Sequence, residues 1–353
     1  MANPGAYSRS LQGPWPRGKA GREAGCSPFP DIALKRLSDS SVSNSAVVFA
    51  CAKPTFYRKS VFPSATFLSE RLRIMVIMNR LSTEKRAQII GCLVEGNSIR
   101  ATVRMTGAAK NTITKLLVDL GEACAEYQDG VLQDLPCKVV EADEIWAYCY
   151  AKQKNVPEQF KGTPGYGDVW TFTAICADTK LVPSWLVGER TMDDAEVFMT
   201  DLASRMSGRI QLSTDGHRIY EGTVGPSFAN NVDWAQIQKH YAGGEPGKYS
   251  PPVCTGTKRR VLRGDPDPDR ISTSYVERQN LTMRMGMRRF TRLTNGFSRK
   301  VENLAHAVSL HFMHYNFARP HTALKERYPR TPAMAAGVAD HIWTLEEIAR
   351  LLD

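Results

Sequence analysis

The chain has 353 residues, 42% of them hydrophobic and 23% charged, with a formal net charge of +10. That length supports two or three domains with at least one sizeable core, and the composition is ordinary for a folded protein. No apolar run reaches the roughly 18–20 residues a membrane span needs, and the eight scattered cysteines contain no CxxC pair, so neither a membrane anchor, a disulfide framework nor a zinc ribbon is indicated. We read the cysteines as reduced, buried thiols of a cytoplasmic protein.

The charge is unevenly spread. Residues 1–77 carry +7, 78–126 carry +2 and 257–300 carry +8, which leaves −7 for the rest. A basic chain with an acidic middle suits a protein that binds polyanions and holds cations at one place. Residues 1–77, rich in Ser, Pro, Gly and Arg, show no sustained period. They read as a disordered tail, or as a non-native upstream extension with translation starting near Met75 or Met78.

A helical pattern begins at Leu81. "STEKRAQIIGCLVEG" opens on Ser82 as N-cap and closes at Gly96. "SIRATVRMTG" makes a second short helix anchored by Ile99, Val103 and Met105, stopping at Gly107. "AAKNTITKLLVDLGEAC" makes a third. Helix, Gly-containing turn, helix is the helix-turn-helix pattern, here over 78–126. Lys110, Asn111, Thr112 and Lys115 lead the third helix and are of the types that contact phosphates and base edges. The competing reading is a structural three-helix bundle. "YQDGVLQDLP" (127–136) then reads as a linker.

Strands follow Pro136. "KVVEADEIWAYC" is one, and "DVWTFTAICADTKLVPSWLVGER" is two around a turn at Ala177-Asp178-Thr179-Lys180. "TMDDAEVFMTDLASRM" is an amphipathic helix capped by Thr191, with Ala195, Phe198, Met199 and Leu202 as its apolar stripe. "RIQLSTDGHRIY" is a fourth strand ending at Asp215. The order is mixed α/β. Residues 221–271 look irregular, like an insertion, and a helical C-terminal region begins near Ser272.

Three carboxylates, Glu141, Asp143 and Glu144, interrupt the first strand, where an ionised group is costly unless a cation meets it. In "STSYVERQNLTMRMGMRRF", Val276, Met283, Met287 and Phe290 share one helical face, while Glu277, Arg284 and Arg288 fall within about 40° of one another beside it. That stripe fits a metal-bound phosphate substrate, or equally a solvated charge pattern. Singly, Asp215 before Gly216 is a turn residue. Together, an acid on the first strand, one ending the fourth and one on a later helix match the arrangement that holds two Mg²⁺ ions in a ribonuclease-H-like fold. Strand alternation leaves Asp143 and Glu144 both open as the first of these.

The stretches "VVEADEIWAYC", "STDGHRIY" and "SYVERQNLTMRMGMRRFTRLTNGFSRK", with "HFMHYNFARPHTAL" and "TPAMAAGVADHIWTLEEIARLL", resemble the bacterial DDE transposases of the insertion sequence one type over residues 78–353. The resemblance implies a ribonuclease-H-like mixed sheet with flanking helices over 136–320, preceded by the all-α helix-turn-helix domain and a 127–135 linker, and followed by a helical tail over 321–353. It implies Asp143, Asp215 and Glu277 as metal ligands and catalytic triad, the family's Asp-Glu dipeptide putting the first residue in the site. Two Mg²⁺ ions, replaceable by Mn²⁺, would serve a water attack freeing a 3′-hydroxyl, which then attacks target DNA. Arg278, Arg284 and Arg288 would hold phosphates, while Lys110, Asn111, Thr112 and Lys115 bind the element end. The partners implied are double-stranded DNA (terminal inverted repeats and target) and further copies of the chain.

Two departures stand out: no N-terminal zinc ribbon, and a 62-residue spacing from Asp215 to Glu277, longer than in the retroviral-integrase-like branch whose "YNxxRPHxxL" the chain also resembles through Tyr315, Asn316, Arg319, Pro320 and His321. His306, His311 and His314 sit among apolar residues with no cysteine or carboxylate to complete a ligand set, and read as core or surface histidines. The competing functions are a non-catalytic DNA-binding protein derived from a transposase, and a ribonuclease-H-like nuclease.

Overall fold

A computed structural model describes residues 49–50, 80–242, 253–291 and 295–353, all within one compact unit. The expectations for residues 1–77, apart from 49–50, and for a start near Met75 or Met78 lie outside the described residues.

Three helices come first: α1 (Thr83–Val94), α2 (Ile99–Thr106) and α3 (Lys110–Val131). The Ser82 hydroxyl caps α1, Ser98 caps α2, and Gly107 ends α2 with φ 71°, a left-handed conformation that glycine adopts without a Cβ penalty. Ile99 and Val103 pack inward as anticipated, but Met105 is exposed; Thr102 and Thr106 take the buried face instead. Their hydroxyls donate to the Ser98 and Thr102 carbonyls, so neither hydroxyl is buried unpaired.

α3 runs on through 127–131, where a linker is expected. Two contacts hold its last turn. Buried Gln128 donates to the Cys124 and Ser309 carbonyls, and buried Arg205 bonds Asp129, Asp201 and the Leu132 carbonyl. Only the short stretch after Val131 connects to the sheet.

The sheet comprises β1 (Phe49–Ala50), β2 (Val139–Cys149), β3 (Gly167–Cys176), β4 (Trp185–Gly188), β5 (Ile210–Asp215), β6 (Val232–Ala242) and β7 (Val253–Arg263), in the order β1-β4-β3-β2-β5-β6-β7. β2, β3 and β4 form an antiparallel meander; β5 then lies parallel to β2, and β6 parallel to β5. The crossovers are α4 (Met192–Ser204), capped by Thr191 as its sequence predicts, and α5 (Ile219–Ser227). The result is a mixed α/β sheet flanked by helices.

Residues 221–271 are therefore not irregular: they hold most of α5, all of β6 and β7, and the antiparallel pairing of those two strands. The alternation in "VDWAQIQKHYA" is obscured because Gln236 is buried with its amide donated to the His217 carbonyl, and Asp233 is held by Arg209.

The C-terminal part contains α6 (Ser274–Gly286), α7 (Val301–Met313, continued as a π-turn through Ala318), α8 (Pro332–Ala335) and α9 (Leu345–Arg350). Val276, Met283, Met287 and Phe290 are all buried, as the helical face predicts. The helix nevertheless stops at Gly286: Met287 is extended and Arg288–Phe290 form a separate 3₁₀ turn, so Arg288 leaves the helical stripe it shares with Glu277 on paper.

Tyr315 and Asn316 of the "YNxxRPH" stretch are clamps. The Tyr315 hydroxyl donates to the Lys180 carbonyl, and Asn316 bonds both the N–H and the C=O of Val182, fixing the β3–β4 connection. His311 is buried, its imidazole pushed down to about 3 by burial and the nearby His314 and Arg319, and so neutral. Cys124, Cys137, Cys149 and Cys176 are buried thiols, whereas Cys254 is exposed and corrects the reading of all eight as buried. Among the described residues no helix is long and apolar enough to cross a membrane.

Candidate metal centre

The three carboxylates of β2 have three different fates. Glu141 is buried, and its Oε2 accepts from the backbone N–H of Tyr275 (2.7 Å) and Val276 (3.0 Å). It supplies the N-terminal cap that Thr273 does not give α6. What meets this charge is the positive end of a helix, not a metal ion. The consequence is positional: α6, and with it Glu277, is pinned across β2.

Asp143 faces the neighbouring strand. β2 and β5 pair in parallel with Ala142 opposite Thr214, so the next residues, Asp143 and Asp215, come side by side where β5 ends. Ligand oxygens of Asp143, Glu144 and Asp215 lie within 4.8 Å of one another, and among the described residues no other group of three such side chains converges. Burial and the adjacent Glu144 and Asp215 charges push the Asp143 carboxyl up to about 7. Its Oδ2 accepts from Asn280 Nδ2 of α6 at 2.9 Å. Asp215 Oδ1 accepts from the His217 N–H at 3.0 Å, the turn its Asp-Gly pair predicts, while Oδ2 stays on the Arg190 side.

Glu144 is the most enclosed of the cluster. Arg190, just past β4, donates from Nη2 to Glu144 Oε2 at 2.9 Å and lies 3.6 Å from Asp215 Oδ2. The guanidinium stacks on Trp170, 4.5 Å from the ring centroid. Behind it the buried Tyr220 hydroxyl lies beside the Glu144 carboxylate. Burial holds Glu144 above the ordinary carboxylate range despite Arg190.

Glu277 is outside the cluster. Its Oε1 accepts from the Thr273 hydroxyl at 2.7 Å and pairs with Lys239 of β6, although its charge is felt at Asp143. The structure thus brings Asp143 and Asp215 together, adds Glu144, and leaves Glu277 one ion pair away.

The remaining candidates lie on the surface. Lys110, Asn111, Thr112 and Lys115 are all exposed at the start of α3, Lys115 pairing with Asp119 one turn on. Arg278 and Arg288 are exposed and Arg284 is half-buried.

A scan against models of known protein families found no match, and a comparison with curated proteins found none either.

The donor set suits a hard divalent cation: carboxylate oxygens at close range, one of them pushed up to about 7 by burial and by its carboxylate neighbours. Sequence reasoning missed Arg190, Lys239, Asn280 and Tyr220. Arg190 and Lys239 carry no motif, and only sheet pairing sets them at the carboxylates. Asn280, three residues after Glu277 on one helical face, could have been found from spacing alone.

Proposed function

We propose that this chain is a DNA transposase of the DDE type, with a ribonuclease-H-like catalytic core and Asp143, Asp215 and Glu277 as its acidic triad. The supporting observation is the meeting of Asp143 and Asp215 on adjacent parallel strands, under a helix that Glu141 pins in place and that carries Glu277. The mixed sheet, an antiparallel meander followed by parallel crossovers, is compatible with that core.

Asp143 and Asp215 would hold the divalent ions, Mg²⁺ or Mn²⁺, and Glu277 would complete the second site. Ions held there would supply activation of the attacking oxygen and stabilisation of the leaving one. Asn280 fixes the Asp143 carboxylate through Oδ2, and Arg190 takes up the charge of Glu144. For Glu277 to join Asp143 and Asp215 it would have to leave Lys239, which would free that cation for a phosphate. Arg278 and Arg288 lie exposed along the same segment for the flanking backbone. At the other end of the chain the polar start of α3, following the three-residue turn Gly107–Ala109, is presented as the second helix of a helix-turn-helix entering the major groove. Copies of the chain would pair two element ends.

One observation favours a second reading. Glu277 is tied to Lys239 and Thr273 and stays outside the Asp143–Asp215 cluster, and a triad left incomplete in this way would suit a protein that binds DNA without cutting it. Nicking assays on duplexes carrying the DNA that flanks this gene separate the two. Mg²⁺-dependent cuts at one phosphodiester near a terminal repeat, abolished by Asp215→Asn with binding kept, are expected of the transposase. Binding to those ends with no cutting in Mg²⁺ or Mn²⁺ would establish the non-catalytic protein. Preference for RNA hybrids or branched junctions would point to a nuclease.

A further inference from the structure

β6 and β7 continue beyond the sheet that carries them. β5 pairs with β6 only as far as Asp215 opposite Ile237, whereas β6 and β7 stay paired out to Ala242 and Val253. Because β5 and β6 are parallel, the overhang leaves the sheet at the end where Asp215 sits. Burial changes at the same point: residues 234–237 are buried, Gln238 and His240 are exposed, and every described side chain from Cys254 to Val261 on β7 is exposed. Five residues of overhang make an arm about 15 Å long.

The arm is cationic. β7 reads "VCTGTKRRVLR", with four basic and no acidic residues: Lys258 lies in the overhang and Arg259, Arg260 and Arg263 along its root, while the overhanging part of β6 adds Lys239. Its root straddles the carboxylate cluster. On one face Lys239 touches Glu277; on the other Gln236 bonds the His217 carbonyl and Gln238 lies against Gly216, beside Asp215. Opposite these, Lys258 pairs with Gln238, Arg259 with Ile237 and Arg260 with Gln236, so cations line both faces of the ribbon, Arg259 donating to the Pro268 carbonyl and Arg260 pairing with the exposed Glu221.

We infer that the β6–β7 ribbon is a duplex-DNA-binding arm that holds the DNA running out of the carboxylate cluster. This rests on the proposed function and extends it to residues outside the acidic triad and the helix-turn-helix. A two-stranded ribbon has the width to enter a major groove, and a run of cations that begins beside the carboxylate cluster is complementary to the phosphates on either side of a scissile bond. Basic side chains on an edge strand also block pairing with another sheet. That simpler role predicts a different response to their removal.

The test compares wild type with the Lys258→Gln, Arg259→Gln, Arg260→Gln triple variant. Binding to a random-sequence 30-base-pair duplex is measured without divalent metal across a salt series. Removing three phosphate contacts is expected to weaken binding about tenfold or more at 0.1 M salt and to flatten the log–log salt slope by about two to three. Failure of wild type to bind any duplex sinks the proposed function itself. Wild-type binding with unchanged affinity and slope in the variant overturns only the arm. So does a variant that self-associates in light scattering while keeping its DNA affinity, since that is edge protection, and so does tighter wild-type binding to RNA than to DNA. Should the variant misfold, protection of Lys258 from acetylation on the wild-type protein answers the same question. Lys258 is expected to be shielded by the duplex, and undiminished labelling overturns the arm.

Discussion

Asp143 is the residue on which the cluster's chemistry turns. Its carboxyl is raised from 3.8 to about 7 by burial first, then by Glu144, Asp215 and Glu277. The native protein therefore keeps this proton between about pH 4 and 7, where the unfolded chain has lost it. Stability from this group is present below the unfolded value and is lost as pH rises through 7. The full shift corresponds to about 4 kcal/mol, and the partial exposure of Asp143 to water reduces that to about 2 kcal/mol. Metal-free wild type is expected to lose about that much stability, relative to Asp143→Asn, between pH 4.5 and pH 8. Urea titrations of both proteins measure it, and parallel pH profiles would show that Asp143 is not the strained group. The difference is needed because Glu141, Glu144 and Asp201 are also raised by burial and slope the same way, whereas neutral buried His311 slopes oppositely.

At the scale of elements, α6 is held by a carboxylate from another strand. Glu141→Ala leaves the Tyr275 and Val276 amides without their acceptor, and the expected loss is roughly 2–3 kcal/mol. Glu141→Gln, which keeps an acceptor oxygen, should cost less. Hydrogen exchange at residues 275 and 276 checks the mechanism: the two amides should exchange faster in the alanine variant, and unchanged protection would mean that α6 is held by its apolar face alone. This element also shows where the sequence was legible. Alternation and caps located β2 to β5, α4 and the start of α6, because each buries a regular face or opens on a Ser or Thr cap. The end of α6 was not legible, since Met287 and Phe290 keep their helical spacing while the chain bends after Gly286. Nor could the spacing assign Glu141 and Glu144, whose partners, a helix N-terminus and Arg190, come from distant segments. β6 was hidden by its buried glutamine and paired aspartate.

At the scale of the whole molecule, the first three helices share a core with the sheet. Ile90, Val94, Leu117, Leu120 and Cys124 belong to the same buried cluster as Val140, Phe172 and Leu212. α3 crosses α7 at Gly121, where a Cβ would come within 2.5 Å of His306, and the Ser309 hydroxyl donates to the Gly121 carbonyl at 2.7 Å. The C-terminal segment closes over both. Buried Arg86 of α1 donates to the Ala349 carbonyl and pairs with Asp353, and Trp343 packs against Tyr127 and Phe317. Helices packed this way cannot swing independently of the carboxylate cluster, so under the proposed function end recognition and strand cleavage would be rigidly coupled. The folding consequence is measurable. Far-UV circular dichroism reports mainly the helices, and tryptophan fluorescence draws largely on Trp146, Trp170, Trp185 and Trp234 in the sheet. In urea the two signals should change together, as one core requires. Trp343→Ala, which removes a half-buried ring from the joint, should lower both midpoints equally, by about 2 kcal/mol of stability. Loss of helical signal ahead of fluorescence, in either protein, would mean that residues 83–131 fold as a domain of their own and that the coupling expected under the proposed function is looser than the shared core implies.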